Sequence, residues 1–347
     1  MNYKKALLAC WCLTALGTAA NAQSEAETDY YLPKTILHFT VKVEKTQYTP
    51  GQFAKYALRY MRQDVGQEPY TAYRIIGIDM QPDAVPDTQK HFKLMLDKKH
   101  NITDVTRADN GQLLAINAEA QPATYHRQTF KPAKKTKHSD PRDYMTQDIL
   151  NASNTAKMAE LTAQEIYDIR DSRSLLAKGQ ADYMPKDGTQ LKLMLANLDE
   201  QEKGLTQLFT GSVEKDTTWT YLDFTPEKEG ESVLFRFSKR LGVVGADDLA
   251  GEPYFIVLTD KHTVAEQQVQ PEEKKKEDKN DIGLRVNQPG SVKVVIKNYN
   301  QPVANYEVQA TQFGTVEPLS GELFGKKQST RLILDPLTGS IRKIEGM

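Results

Sequence analysis

From residue 36 the chain alternates between apolar and polar side chains. Leu37, Phe39, Val41 and Val43 are separated by His38, Thr40, Lys42 and Glu44. A period of two predicts a strand with one buried face and leaves His38 on the solvated side. Thr49-Pro50-Gly51 closes the strand with turn-forming residues. Phe53, Tyr56, Ala57 and Tyr60 then recur three or four apart, predicting a short helix laid on the sheet. "YTAYRIIGIDM" and "KHFKLML" predict two further strands, and "ITDVTRADNGQLLAINA" a hairpin about Asn110-Gly111.

Periodicity is lost from 121 to 144, where "HRQTFKPAKKTKHSDPR" predicts a solvated basic linker. Its Lys131, Lys134, Lys135 and Lys137 are the candidate contacts for an acidic partner or for lipid headgroups. Helical spacing follows. Met158, Leu161, Ile166, Ile169 and Leu176 share one arc; Gly179 and Pro185 interrupt. Asp187 then heads a capping box with Gln190, ahead of the stripe Leu191, Met194, Leu195, Leu198, Leu205 and Leu208. Two such helices joined by a short turn predict an antiparallel helical hairpin. Strand patterns resume after Gly211 in "TTWTYLDF", "SVLFRFS", "EPYFIVLTD", "SVKVVIKNY" and "ANYEVQATQF", and "TRLILDPLTGSIRKIE" predicts a closing hairpin around Asp335–Gly339. The mixed charges of "QPEEKKKEDKND" predict a surface loop.

The first residues change the picture. Lys4 and Lys5 precede an apolar run to about Leu16 and a small-residue end at Ala20-Asn21-Ala22, the order of a secretory signal peptide cut between Ala22 and Gln23. The run is shorter than the ~20 residues that span a bilayer. Cys10 and Cys12, the only cysteines, leave with it. The alternative is a lipoprotein box at Leu7–Cys10, disfavoured because only four apolar residues separate Lys5 from Cys10. The expected mature chain has no thiol, disulfide or cysteine metal ligand, and no later stretch has the uninterrupted apolar length of a membrane helix. Formal charge is −1 for the whole chain. That balance provides no global field for nucleic acid or anionic lipid.

No constellation of catalytic groups stands out. G-x-S-x-G and H-E-x-x-H spacings are missing, and His38, His91, His100, His126, His138 and His262 are scattered. Asp247 and Asp248 in "GADDLAG" fall short of the six to eight oxygens calcium takes. No catalytic, cofactor-binding or metal-binding residue is assigned. A distant carboxylate pair of the glycosidase kind stays open, without a residue to name.

The blocks "YLPKTILHFTVKVEKTQYTPGQFAKYALRYM", "YRIIGIDM", "AKMAELTAQEIYDIRDSR", "MPKDGTQLKLMLANLDEQEKGLTQLFTG", "QFGTVEPLSGELFGKK" and "LDPLTGSIRKIE" resemble an exported family of Bacteroidota, catalogued as domain of unknown function four-eight-three-one. The resemblance spans nearly the whole mature chain and implies an envelope location. It brings no catalytic residues.

The expected architecture is α+β: a signal peptide over 1–22, a β-rich module with one short helix over 23–120, the basic linker over 121–144, the helical hairpin over 145–211, and a β-rich module over 212–347 with a charged loop at 264–281. The β modules are expected to be sandwich-like and to flank the hairpin. The expected role is a non-enzymatic binding or scaffolding protein of the periplasm or outer membrane, a subunit of an envelope assembly, secretion or uptake complex. Its expected partners are envelope proteins, not nucleic acid. The alternative is a glycan- or peptidoglycan-binding protein, or a hydrolase with a carboxylate pair, suggested by 16 tyrosines and abundant acids.

Overall fold

A computed structural model describes residues 26–132, 140–265, 280–326 and 330–346. Strand accounts for 48% and helix for 23%, and the sheets are antiparallel. The Leu37–Val43 alternation lies in β1 (Ala26–Thr49), which pairs with β2 (Tyr70–Leu96) from Ala26 opposite Leu96 to Tyr48 opposite Tyr70. "YTAYRIIGIDM" and "KHFKLML" therefore belong to one strand, not two. Pro82 and Pro86 lie between them; β2 is a sheet edge, the place where a residue without an N–H is tolerated.

β5 (Ser212–Phe224) lies on the other side of β1 and completes a sheet ordered β2-β1-β5. A second long hairpin, β9 (Asp281–Asn298) with β10 (Gln301–Ser320), continues through β8 (Glu252–Asp260) and β6 (Gly230–Ser238) to β7 (Gly242–Val244), in the order β10-β9-β8-β6-β7. The third sheet, ordered β12-β11-β4-β3, joins β3 (Val105–Arg107) and β4 (Leu113–Ile116) to β11 (Thr330–Leu334) and β12 (Ile341–Gly346). Turns at Asn110-Gly111 and Asp335–Gly339 connect the two short pairs as their residues predict. Strand pairing thus crosses the helical stretch twice, β1 with β5 and β4 with β11.

The two long hairpins serve two cores. In one, Leu37, Phe39, Val41 and Val43 meet Phe235, Ile256, Val292, Val294 and Ile296. Each such side chain contributes about 1.5–3 kcal/mol by leaving water. In the other, Tyr30, Leu32 and Leu94 meet Leu113, Ile116, Leu284, Phe324 and Leu332. Between them both hairpins slip register, at Tyr31/Pro33 and at Ala310/Thr315. A slip frees backbone groups that need partners when buried. Side chains supply them. Thr311 N donates to Thr35 Oγ1 at 3.1 Å, Gln312 Nε2 to Thr35 O at 2.7 Å, and Asn287 Nδ2 to Pro33 O at 3.1 Å and Thr338 O at 2.8 Å. Lys90 Nζ reaches Asn287 Oδ1 and Thr311 O, each at 3.3 Å.

A third core is helical. α3 (Thr155–Lys178) and α4 (Gly188–Thr210) lie side by side, with Arg170 on Glu202 at 2.6 Å and Arg173 on Asp199 at 2.6 Å. Asp187 caps α4 by accepting from Thr189 N. α1 (Ala57–Met61) and α2 (Gln147–Leu150) pack against this pair: Phe53, Ala57 and Met61 share a cluster with Ile149, Ile166, Leu205 and Phe209. The helix expected on the sheet therefore covers helices. The cause is the joint where the chain leaves β1. Phe53 N bonds Leu208 O at 2.7 Å, and a Cβ at Gly51 would stand 2.3 Å from that same oxygen. Gly211 returns the chain with φ +77, its missing Cβ 2.3 Å from Thr49 O.

Candidate functional site

The polar half of the β1 alternation faces outward, and its cross-strand neighbours build a surface around it. On β5, Asp223 is opposite His38, Tyr221 opposite Thr40 and Trp219 opposite Lys42. On β2, Asp79 is opposite Thr40. Opposed residues share a face and touch. Lys42 Nζ lies 2.5 Å from Asp79 Oδ2 and 4.9 Å from the Trp219 ring centre.

His38 is not the solvated side chain expected of it. Its Nδ1 is 2.6 Å from Asp223 Oδ1, and its Nε2 is 3.2 Å from Asp83 Oδ2. Only 12% of the imidazole side chain is exposed. Carboxylates only accept, so both contacts are hydrogen bonds when the ring carries both of its protons. The imidazole fills the space between the two acids. A carboxylate pair acting on a glycosidic bond keeps that space for substrate and water, so this cluster lends hydrolysis no support.

Residues 125–130 of the basic linker lie over this face, whereas its far end, Pro141–Tyr144, is a short 3-10 turn whose Tyr144 packs on the helical core. The Tyr125 ring stacks on His38 at 4.0 Å and 17°. The Arg127 guanidinium sits 4.6 Å from the Tyr221 ring centre, and Tyr221 Oη donates to Gln128 O at 2.5 Å. Phe130 meets Trp219 at 5.7 Å and 49°. The linker therefore tracks β5 in reverse, from Asp223 towards Trp219, as an extended strap. Each aromatic contact contributes about 0.5–1.5 kcal/mol and the cation over the ring about 0.5–1 kcal/mol. Ordering each residue costs ~1–2 kcal/mol of backbone entropy. These contacts alone do not offset the ordering of residues 125–130, and burial of the rings supplies the rest.

Lys131 is exposed just past Phe130. Lys134, Lys135 and Lys137, with Ala22, Gln23 and His138, lie outside the described residues. His126 lies in the strap between Tyr125 and Arg127; elsewhere His91 is 3.4 Å from Asp29 and stacks on Tyr31, His100 is 2.6 Å from Asp97, and His262 is 3.5 Å from Asp260. Asp248 accepts from Ala250 N and so closes the "GADDLAG" turn. No group of three metal-ligating side chains able to hold an ion occurs among the described residues, and no described helix is long and apolar enough to cross a membrane.

Sequence reasoning missed Tyr125, Arg127, Phe130, Trp219 and Tyr221 as a group. The available signal was two short aromatic runs, one in the linker and one on the polar face of β5.

No curated protein and no solved structure matches this chain. Residues 27–342 match the family described as Domain of unknown function (DUF4831), and the chain belongs to that family.

Proposed function

We propose that this protein is a non-enzymatic binding or scaffolding protein of the cell envelope, exported to the periplasm and working beside the outer membrane within an assembly, secretion or uptake complex. The sandwich-like β regions and the antiparallel helical hairpin between them act as its frame. The leader-like first residues support the location. The observation that carries the role is the outer face of β1 and β5. There an extended segment is held by ring contacts with His38, Tyr221 and Trp219, and a partner's segment of the same character competes for the same surface. Envelope proteins are the partners this reading requires.

The test is crosslinking in native envelopes, comparing the full chain with its Trp219→Ala/Tyr221→Ala variant. Both substitutions remove strap contacts, so a loss of about 1–3 kcal/mol is expected, and the two chains are compared at a temperature where both are folded. The reading expects a defined envelope protein crosslinked to the parent and lost from the variant. Equal recovery by both overturns it, as does turnover of an envelope polysaccharide by the purified chain.

A further inference from the structure

The core between the β2-β1-β5 sheet and the β10-β9-β8-β6-β7 sheet is open at one end. There a groove of about 600 Å³ runs between the start of β2 and the ends of β6 and β8. Its floor is formed by Tyr73, Ile75, Phe237 and Tyr254, all of them members of the main apolar cluster or packed against it. Tyr254 lies 4.8 Å from Phe235, nearly parallel, and meets Phe237 edge-on at 6.3 Å. The walls are fixed to each other, since Tyr73 N donates to Lys239 O at 2.8 Å. An aromatic-lined opening of this size, continuous with a core, has the form of a small-molecule site.

The rim is charged. Arg74 is held by Glu44 at 3.0 Å. Lys239 and Arg240 are exposed, and among the described residues neither has a carboxylate within ion-pair distance. Glu252 is the single acid of the lining; burial first, and then Glu252, push the Tyr254 phenol upward, so that ring stays neutral. The rim therefore favours a negative group beside an apolar slot.

We propose that this opening binds a single-chain anionic amphiphile, its chain between Tyr73 and the Phe237–Tyr254 pair and its head group at Lys239 and Arg240. This site is independent of the outer face and the strap.

Titration calorimetry of the full chain tests it, with dodecanoate and dodecyltrimethylammonium as probes, both below micelle formation. Their chains match and their charges oppose. The expected result is saturable one-to-one binding of dodecanoate, about tenfold tighter than the cation. Lys239→Glu/Arg240→Glu should weaken dodecanoate by about tenfold or more and invert the preference. Ala250→Trp, which plugs the groove from an exposed lining position, should abolish binding while leaving the melting temperature in place. Equal binding of the two probes overturns the proposal. So does dodecanoate binding that neither variant alters, or no saturable binding at all.

Discussion

The same two hairpins end in two different ways. At the Tyr30 end, β4, β11 and the turn at Gly321–Phe324 close over the core, and Tyr30, Leu32, Leu94, Leu113, Leu284 and Phe324 all have 0% exposure. At the Phe39 end Tyr73, Ile75 and Tyr254, which pack on that core, remain only partly buried at the rim of a groove. Phe39 itself, deeper in, is 1% exposed. The comparison separates two tasks that sequence hydrophobicity does not distinguish. One end is filled to exclude water, and the other keeps apolar surface within reach of it.

The largest expected effect breaks this contrast if it fails. Phe324→Ala empties a site with no exposure and should cost about 3–5 kcal/mol, read from urea unfolding. Tyr73→Ala at the open end removes a ring already in contact with water and should cost about 1 kcal/mol, the ordinary size for a point substitution. Equal losses would mean that the open end is packed as tightly as the closed one.

The stripe that predicts β1 is visible in sequence because burial on one face of a strand has a fixed period; Leu37, Phe39, Val41 and Val43 are at most 2% exposed. The same holds for the Asp187 cap and for the turns at Asn110-Gly111 and Asp335–Gly339, each set by residues adjacent in the chain. Pairing partners were not visible. β1 meets β5, and β4 meets β11, across the helical stretch, and no local pattern encodes which strand will lie alongside which. His38 illustrates the consequence. Its two acids stand 45 and 185 residues away, so only the assembled sheet converts a solvated strand histidine into the centre of a polar cluster. The strap escaped for the same reason: Tyr125, Arg127 and Phe130 follow no period, and their seats are on distant strands.

The join between the two ends should give the next largest effect. Asn287 is 2% exposed and satisfies Pro33 O, Thr338 O and Lys90 Nζ together. Asn287→Ala takes this partner from Pro33 O and Thr338 O in a buried place and leaves Lys90 Nζ with Thr311 O alone, a loss of about 1–3 kcal/mol. The urea midpoint should fall with its slope unchanged, because both ends depend on the join. A biphasic transition would instead show that the two ends unfold separately, and it would sharpen the contrast into two cooperative units.

The smallest effect concerns charge at that join. Burial lowers the pKa of Lys90, with Asp87 partly opposing it. The folded state therefore releases this proton before the unfolded state does. The stability linked to Lys90 is fully present above the ordinary lysine pKa of about 10.4, and it is lost as pH falls through the lower folded value. Tyr306, whose phenol is pushed up by burial and then by Asp79, works in the opposite direction above about pH 10. It does so equally in the parent and in Lys90→Met, so it cancels from their difference. Unfolding free energies of the two chains measured from pH 8 upward should thus diverge in the parent's favour by less than about 1 kcal/mol, a small effect because water still reaches the ammonium. A difference that stayed flat would place Lys90 in water in the folded chain, and the polar join would then belong to the solvent-accessible side of the molecule and not to the divide between its closed and open ends.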